Sequence, residues 1–279
     1  PEMMDGRIKT LHPRVHGGIL ARRDVPEHVK AMEDHGIRPI DLVVINLYPF
    51  EQTVAQKDCR LEDAIENIDI GGPAMVRSAA KNSQDVVVIV NPKDYSRVLE
   101  EMKVEEGAVT LNTCRQLSRD AFAHTARYDS LISTYLTEKW NDEASFPSTL
   151  NQPFEKVQEL RYGENPHQKA GLYADPKTSG ASVVRGEQIN PTAKGLSYNN
   201  ILDLDAALAI VRGFDAPTVS VMKHNNPCGT ATDECLAAAT QKGMDGDPLS
   251  AFGSVIGFNR PVDAASAEVL ATPGLFIEA

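Results

Sequence analysis

The sequence predicts an α/β protein, and three observations carry that prediction. Asp41-Leu42-Val43-Val44-Ile45-Asn46-Leu47 and Val86-Val87-Val88-Ile89-Val90 are short, β-branched apolar runs. Such runs suit strands of a parallel sheet that are buried on both faces. The second run leads into a helix start, with Asn91 as N-cap, Pro92 at the first helical position and Asp94 in the first turn. Later in the chain, Thr218-Val219-Ser220-Val221-Met222 reads as another strand after a helical pattern. Strands alternating with helices define a layered α/β architecture.

The other elements follow in chain order. The spacing predicts a long helix over residues 113–139. Thr113 and Gln116 have the separation of a capping box. Leu117, Ala121, His124, Tyr128, Leu131 and Tyr135 recur as one apolar stripe. Residues 141–158 include Pro147, Ser148 and Pro153, lack periodicity, and read as a linker. Ile201, Leu204, Leu208 and Val211 mark a helix that Gly213 would cap.

At roughly 150 residues per domain, 279 residues predict two domains. Apolar residues make up 42% and charged residues 24%, which is globular usage and argues against general disorder. Lys and Arg number 28 against 39 Asp and Glu, a net charge of −11. Residues 1–150 hold 18 basic and 24 acidic groups, and the remainder 10 and 15. Neither half is basic, which argues against an extended nucleic-acid footprint. No run of 18 apolar residues predicts a membrane span, and no secretory segment opens the chain. Cys59, Cys114, Cys228 and Cys235 are too few for a disulfide framework, so a reducing, cytoplasmic setting is expected. The chain starts at Pro1 inside a charged motif and stops after Leu275-Phe276-Ile277, and both ends read as cuts through a longer protein.

Four segments could carry chemistry. Residues 1–23 hold Arg7, Lys9, Arg14, Arg22 and Arg23 against Glu2 and Asp5, a local reversal of charge fit for phosphate or carboxylate. A solvated basic edge explains the same charges equally well. His12 and His16 are four apart, but Pro13 and the lack of a Glu between them make a metal-binding helix a poor reading. Asn46-Leu47-Tyr48-Pro49-Phe50 lies at the carboxyl end of the first strand, where open α/β sheets bind ligands. Asp69-Ile70-Gly71-Gly72-Pro73 steps into a helix and could offer free backbone N–H groups to an anion. In that helix Arg77 and Lys81 repel one another unless an anion or Asp69 offsets them. Last, Lys223-His224-Asn225-Asn226-Pro227 follows a strand. His224 there is a candidate general base and Lys223 a candidate oxyanion stabiliser. Neighbouring side chains of a strand point oppositely, so the pair can share a site only if the strand ends between them. There is no G-x-G-x-x-G, no P-loop and no G-x-S-x-G, and Cys228 and Cys235 lack the spacing of a zinc deaminase. A nicotinamide-dependent oxidoreductase would rest on the α/β alternation alone.

Residues 6–13, 46–50, 68–82, 160–168 and 223–229, in this order, resemble a family of bifunctional purine-biosynthesis proteins. These join aminoimidazole carboxamide ribonucleotide (AICAR) formyltransferase to inosine monophosphate (IMP) cyclohydrolase. The likeness covers nearly the whole chain. It implies a methylglyoxal-synthase-like cyclohydrolase domain over residues 1–145. The first part of a cytidine-deaminase-like α/β transferase domain, without zinc, follows over 146–279. The resemblance implies that Arg7, Ile8, Lys9, Thr10, Ile45, Asn46, Asp69, Ile70, Gly71 and Gly72 line the nucleotide site. It assigns Lys9, Tyr48, Asp69 and Lys81 to ring closure, and Lys223 and His224 to formyl transfer. Arg161, Tyr162, Gly253 and Glu278 match AICAR-binding positions, with Glu278 standing where relatives use Asp. It further implies 10-formyltetrahydrofolate as co-substrate, no metal, AICAR, formyl-AICAR and IMP as ligands, and a homodimer. Family chains extend further at both ends, which leaves a catalytically incomplete chain that only binds nucleotide or a partner as the alternative.

Overall fold

The computed structural model describes residues 3–4, 7–140, 147–176, 178–189 and 195–279. Glu2, Asp5, Gly6 and the first part of the expected linker, 141–146, lie outside them. The chain forms two compact units, Pro1–Pro153 and Phe154–Ala279. Strand β3 begins at Glu155, so residues 155–158 of the expected linker are strand instead.

Unit 1 runs α1 (Pro13–Leu20), α2 (Pro26–Asp34), β1 (Leu42–Val44), α3 (Phe50–Val54), α4 (Leu61–Glu66), α5 (Gly71–Lys81), β2 (Val87–Ile89), α6 (Tyr95–Val104) and α7 (Leu111–Trp140). β1 and β2 pair in parallel, Val43 opposite Val88. Val43 and Val88 pack with Ile19, Val76, Ala80 and Ala121 in the main core. β1 is not buried on both faces, however. Val43 is covered, while Leu42 and Val44 are 41% and 46% exposed. The period-2 alternation of a strand turns them to a face that no described element covers.

The helix signal after β2 is realised in two stages. Asn91 caps a short 3₁₀ turn over Pro92–Asp94, its side chain accepting from Lys93 N–H at 3.0 Å, and α6 continues from it. α7 begins two residues before the expected start. Thr110, not Thr113, is its cap residue: the Thr110 hydroxyl accepts from Thr113 N–H at 3.4 Å. Thr113 is buried in the first turn, and Gln116 accepts from Arg97 instead of closing a capping box. The predicted stripe does face inward. Leu117 packs on Ile89 and Val98, Ala121 joins the main core, and Tyr128 meets Phe50 and Ala64.

Unit 2 runs β3 (Glu155–Leu160), β4 (Ala170–Ala174), α8 (Tyr198–Val211), β5 (Thr218–Lys223), β6 (Asn226–Thr232), α9 (Leu236–Asp245), α10 (Pro248–Ala251), β7 (Val255–Phe258) and α11 (Ala264–Leu270). β3 and β4 form an antiparallel pair; β6, β5 and β7 form an antiparallel sheet in that order. β5 is the central strand and is covered on both faces. Val219 and Val221 pack with Ala239 and Met244 of α9, while Met222 packs with Ala207 of α8 and Val255. That explains its unbroken burial from Thr218 to Met222. α8 carries a full capping box from Ser197 and Asn200. Gly213 lies two residues past its end but without the left-handed φ expected of a capping glycine.

Among the described residues no helix is long and apolar enough to cross a membrane. Among them, too, no group of three or more His, Cys, Asp or Glu is placed to hold a metal ion.

Candidate active sites

In unit 1 the carboxyl end of β1 meets the start of α5. Asp69 Oδ1 accepts from Gly72 N–H at 2.8 Å and Oδ2 from Tyr48 N–H at 3.4 Å. Asp69 N–H donates to the Tyr128 hydroxyl at 2.8 Å, which in turn donates to the Asn67 carbonyl at 3.3 Å. Burial pushes the Tyr128 hydroxyl up from its ordinary range, which keeps it neutral and able to donate. One carboxylate is thus tied to a strand end, a helix start and α7. The two glycines make room for it. A Cβ on Gly72 would collide with the Asp69 carboxylate and lie 2.9 Å from Leu47, and one on Gly71 would collide with the Thr10 hydroxyl.

These residues wall a cavity of about 520 Å³. Arg7, Lys9, Thr10, Ile45 and Tyr48 contribute to it, and so do Asp69, Ile70, Gly71 and Gly72. Arg7 pairs with Glu66 at the same wall. Ile8 and Asn46 are not among its lining residues.

Lys81 stands apart. It ends α5, roughly 15 Å from Gly71 along the helix axis at 1.5 Å per residue. There it lines a separate polar cavity of about 310 Å³ with Arg22, Asp85 and Arg115. The straight helix separates two ends of what the sequence shows as one motif. For the same reason Asp69 does not offset the Arg77–Lys81 repulsion; Arg77 lies over the Phe122 ring instead, 5.3 Å from its centroid. The Gly72 N–H, expected to serve an anion, is given to Asp69. The basic N-terminal segment also divides. Arg22 pairs with Asp24 and Arg23 with Asp41, leaving Arg7 and Lys9 at the cavity. His12 caps α1 by accepting from Arg14 N–H at 3.1 Å, and His16 turns to Ser78 at 3.2 Å.

In unit 2, β5 ends at Lys223, which pairs with Asn226 at the start of β6. His224 and Asn225 alone join the strands, with φ of 52° and 61°. This is a two-residue turn of type I′, which has left-handed backbone at both positions. It is built without glycine, at a cost of about 1 kcal/mol or more for the histidine. The strand therefore ends where the Lys–His pair requires. Lys223 Nζ donates to the Phe252 carbonyl at 2.7 Å. His224 is exposed on the turn. Two contacts hold the peptide that follows it. Asn225 N–H donates to Asp203 Oδ1 at 2.6 Å, and Asn226 Nδ2 donates to the His224 carbonyl at 3.0 Å. Burial, then Asp247, pushes the neighbouring Cys228 thiol up, with Lys223 acting the other way.

An ion pair and a ring contact link Arg161, Glu278 and Tyr162 of the positions matched to AICAR binding, and backbone hydrogen bonds tie the segment of Glu278 to that of Gly253. Gly253 N–H donates to the Phe276 carbonyl at 2.6 Å, and Glu278 N–H donates to the Ser254 carbonyl at 2.8 Å. The Glu278 carboxylate lies 3.7 Å from the Arg161 guanidinium. Arg161 in turn stacks on Tyr162, 4.8 Å from the ring centroid. Lys223 joins through Phe252, next to Gly253. Glu278 also reaches a mostly apolar cavity of about 720 Å³ beside α8.

Sequence reasoning missed Tyr128 and Asp203. Tyr128 falls on the apolar stripe of α7, which hides the hydroxyl at its tip. Asp203 carries no local signal, since its partner is 22 residues away.

Comparisons with known proteins bear on both units. The model of the MGS-like domain family matches residues 1–74. The model of the AICARFT/IMPCHase bienzyme family matches residues 79–279. A solved structure, "Crystal structure of ForH", is similar at 35% identity over 48% of this chain and 69% of that one, with a TM-score of 0.41. The bienzyme match spans well over half of the sequence, so the chain belongs to the AICARFT/IMPCHase bienzyme family, with an MGS-like segment at its N-terminal side.

Proposed function

We propose that the protein completes the purine ring in two steps. A formyl group passes from 10-formyltetrahydrofolate to AICAR, and formyl-AICAR then closes to IMP with loss of water. One observation carries this reading: Lys9, Tyr48 and Asp69 share a cavity in unit 1, while Lys223 and His224 form a separate corner in unit 2.

In formyl transfer the AICAR amine is a poor nucleophile, because its lone pair is delocalised toward the carboxamide. His224 takes the amine proton as the nitrogen attacks the formyl carbon. Lys223 stabilises the tetrahedral oxyanion with the ammonium hydrogens not given to Phe252. The bond from the formyl carbon to the folate nitrogen then breaks, that nitrogen takes up a proton, and tetrahydrofolate leaves. Arg161, Tyr162, Gly253 and Glu278 hold AICAR. In ring closure the carboxamide nitrogen attacks the formyl carbon of the same molecule, so holding the near-attack geometry supplies much of the acceleration. Lys9 and Asp69 carry protons, and Tyr48 donates to the oxygen that departs as water. The scheme needs no metal ion. The ligands are nucleotides and folate rather than nucleic acid or membrane, and on the family resemblance we read the protein as a cytoplasmic homodimer.

Two assays on the purified protein test this, one for each step. His224→Ala abolishes formyl transfer and spares ring closure, and Lys9→Ala does the reverse. Equal loss of both activities in each variant contradicts the division of labour. Nucleotide binding with no turnover in the unmodified protein identifies a binding chain instead. Lys81→Ala separates two assignments. Ring closure within a few-fold of the parent follows from its position at the far end of α5; a loss as deep as that of Lys9→Ala supports the direct role that the resemblance implies.

A further inference from the structure

The one peptide group between His224 and Asn225 is held at both ends. Its carbonyl accepts from Asn226 Nδ2 at 3.0 Å, and its N–H donates to Asp203 Oδ1 at 2.6 Å. A two-residue hairpin turn does not itself pair that N–H, which would otherwise face water. Asp203 sits within α8, whose packing on β5 through Ala207 and Met222 fixes the carboxylate's position relative to the strand end. The plane of this peptide sets the second backbone torsion of His224 and the first of Asn225. Together with the left-handed φ of 52° it decides the direction in which the imidazole leaves the sheet. Among the described residues none hydrogen-bonds the His224 ring, so backbone orientation is what aims it.

We propose that Asp203 is the positioning residue for His224: through the Asn225 N–H it locks the turn so that the imidazole stays at the corner occupied by Lys223. This rests on the reading of His224 as the base for formyl transfer. In this role Asp203 acts through the Asn225 N–H and not on the reacting atoms. It contributes a fixed acceptor, which an amide oxygen can also supply.

The test compares Asp203→Ala and Asp203→Asn in the intact protein, with ring closure as an internal control. Asp203→Ala is expected to lower kcat for formyl transfer about 10- to 100-fold through misaimed chemistry, with KM for AICAR within about threefold. Asp203→Asn restores kcat to within about threefold, because Oδ1 still accepts. Hydrogen exchange of the Asn225 amide speeds up at least about tenfold in the alanine variant and not in the asparagine variant. If Asp203→Ala does not fold, Asn226→Ala, which removes the hold on the carbonyl end, gives the same kcat loss with KM spared. Unchanged kcat in Asp203→Ala, or equal loss in the alanine and asparagine variants, overturns the proposal. His224→Ala separates the two readings. If it retains formyl transfer, the role of His224 fails while amide exchange still reports on Asp203. If it loses formyl transfer and Asp203→Ala does not, the positioning role alone fails.

Discussion

Tyr128 shows how one hydroxyl joins a core to a site. Its ring lies edge-on to Phe50, 6.3 Å between centroids, and its hydroxyl serves both Asp69 N–H and the Asn67 carbonyl. Tyr128→Phe keeps the packing and strands both backbone groups, so we expect a loss of about 1–3 kcal/mol. Urea unfolding monitored by circular dichroism measures it, and a loss below about 0.5 kcal/mol would mean that water replaces the hydroxyl. Gly72→Ala acts on the same carboxylate from the other side. Its new methyl occupies the space of the Asp69 oxygen, and Leu47 blocks the alternative direction. Ring closure should fall far more than formyl transfer, as parallel rates in the two assays would reveal. Most of these residues were legible as a motif. The tie through Tyr128 was not, because tyrosine at an apolar stripe position carries the same signal whether or not its hydroxyl is used.

At the scale of elements, β6 and α9 meet through glycine. A Cβ on Gly229 would collide with the backbone carbonyl of Gly243, and one on Gly243 would lie 2.6 Å from Val219 of the central strand. Backbone cannot move aside as a side chain can, so Gly229→Ala should destabilise by about 1–3 kcal/mol or more. A lowered melting temperature checks this. α7 brings a pH dependence. Burial first, and then Arg127, hold the half-buried His124 imidazole below its ordinary value of 6.5. As pH falls through 6.5 the unfolded chain takes up that proton before the folded one does, so stability drops. Asp247 and Asp263 cap α10 and α11, and hydrogen bonding to Ser250 and Ser266 holds both below the ordinary 3.8. Their contribution is present above 3.8 and is lost as pH falls further. Replacing His124 with Leu should flatten the stability curve just below pH 6.5 and leave the more acidic limb unchanged. Denaturant midpoints collected across pH decide it. An unchanged slope in the upper window would assign that dependence to another group.

For the whole molecule, sequence families and compact units divide the chain at different places. The two family matches meet inside α5, between residues 74 and 79, whereas the compact units meet between Pro153 and Phe154. Each unit has its own apolar cores, one set around Val43 and Val88 and the other around Val219 and Val221. Two cores predict two calorimetric unfolding transitions. On the proposed function, IMP at a hundredfold excess over its dissociation constant should stabilise the transition of unit 1 by about 2.7 kcal/mol and leave that of unit 2 in place. A single transition shifted as a whole would instead mean that the units unfold together.

The residues expected at the unit 1 cavity came from the family resemblance, and Ile8 and Asn46 among them do not line it. The α/β class, the central strand at 218–222 and the stripe of α7 were determined by the sequence itself. Their causes are local: β-branched runs, turn residues and the 3.6-residue period of a helix. Whether β1 is covered, which cations pair with carboxylates, and whether neighbours in a motif are neighbours in space were decided only by the tertiary structure. Lys81 leaves the Asp69 cavity because a helix advances 1.5 Å per residue. Asp203 reaches the His224 turn because α8 packs across the sheet. Both outcomes depend on distances between elements, which no window of consecutive residues contains.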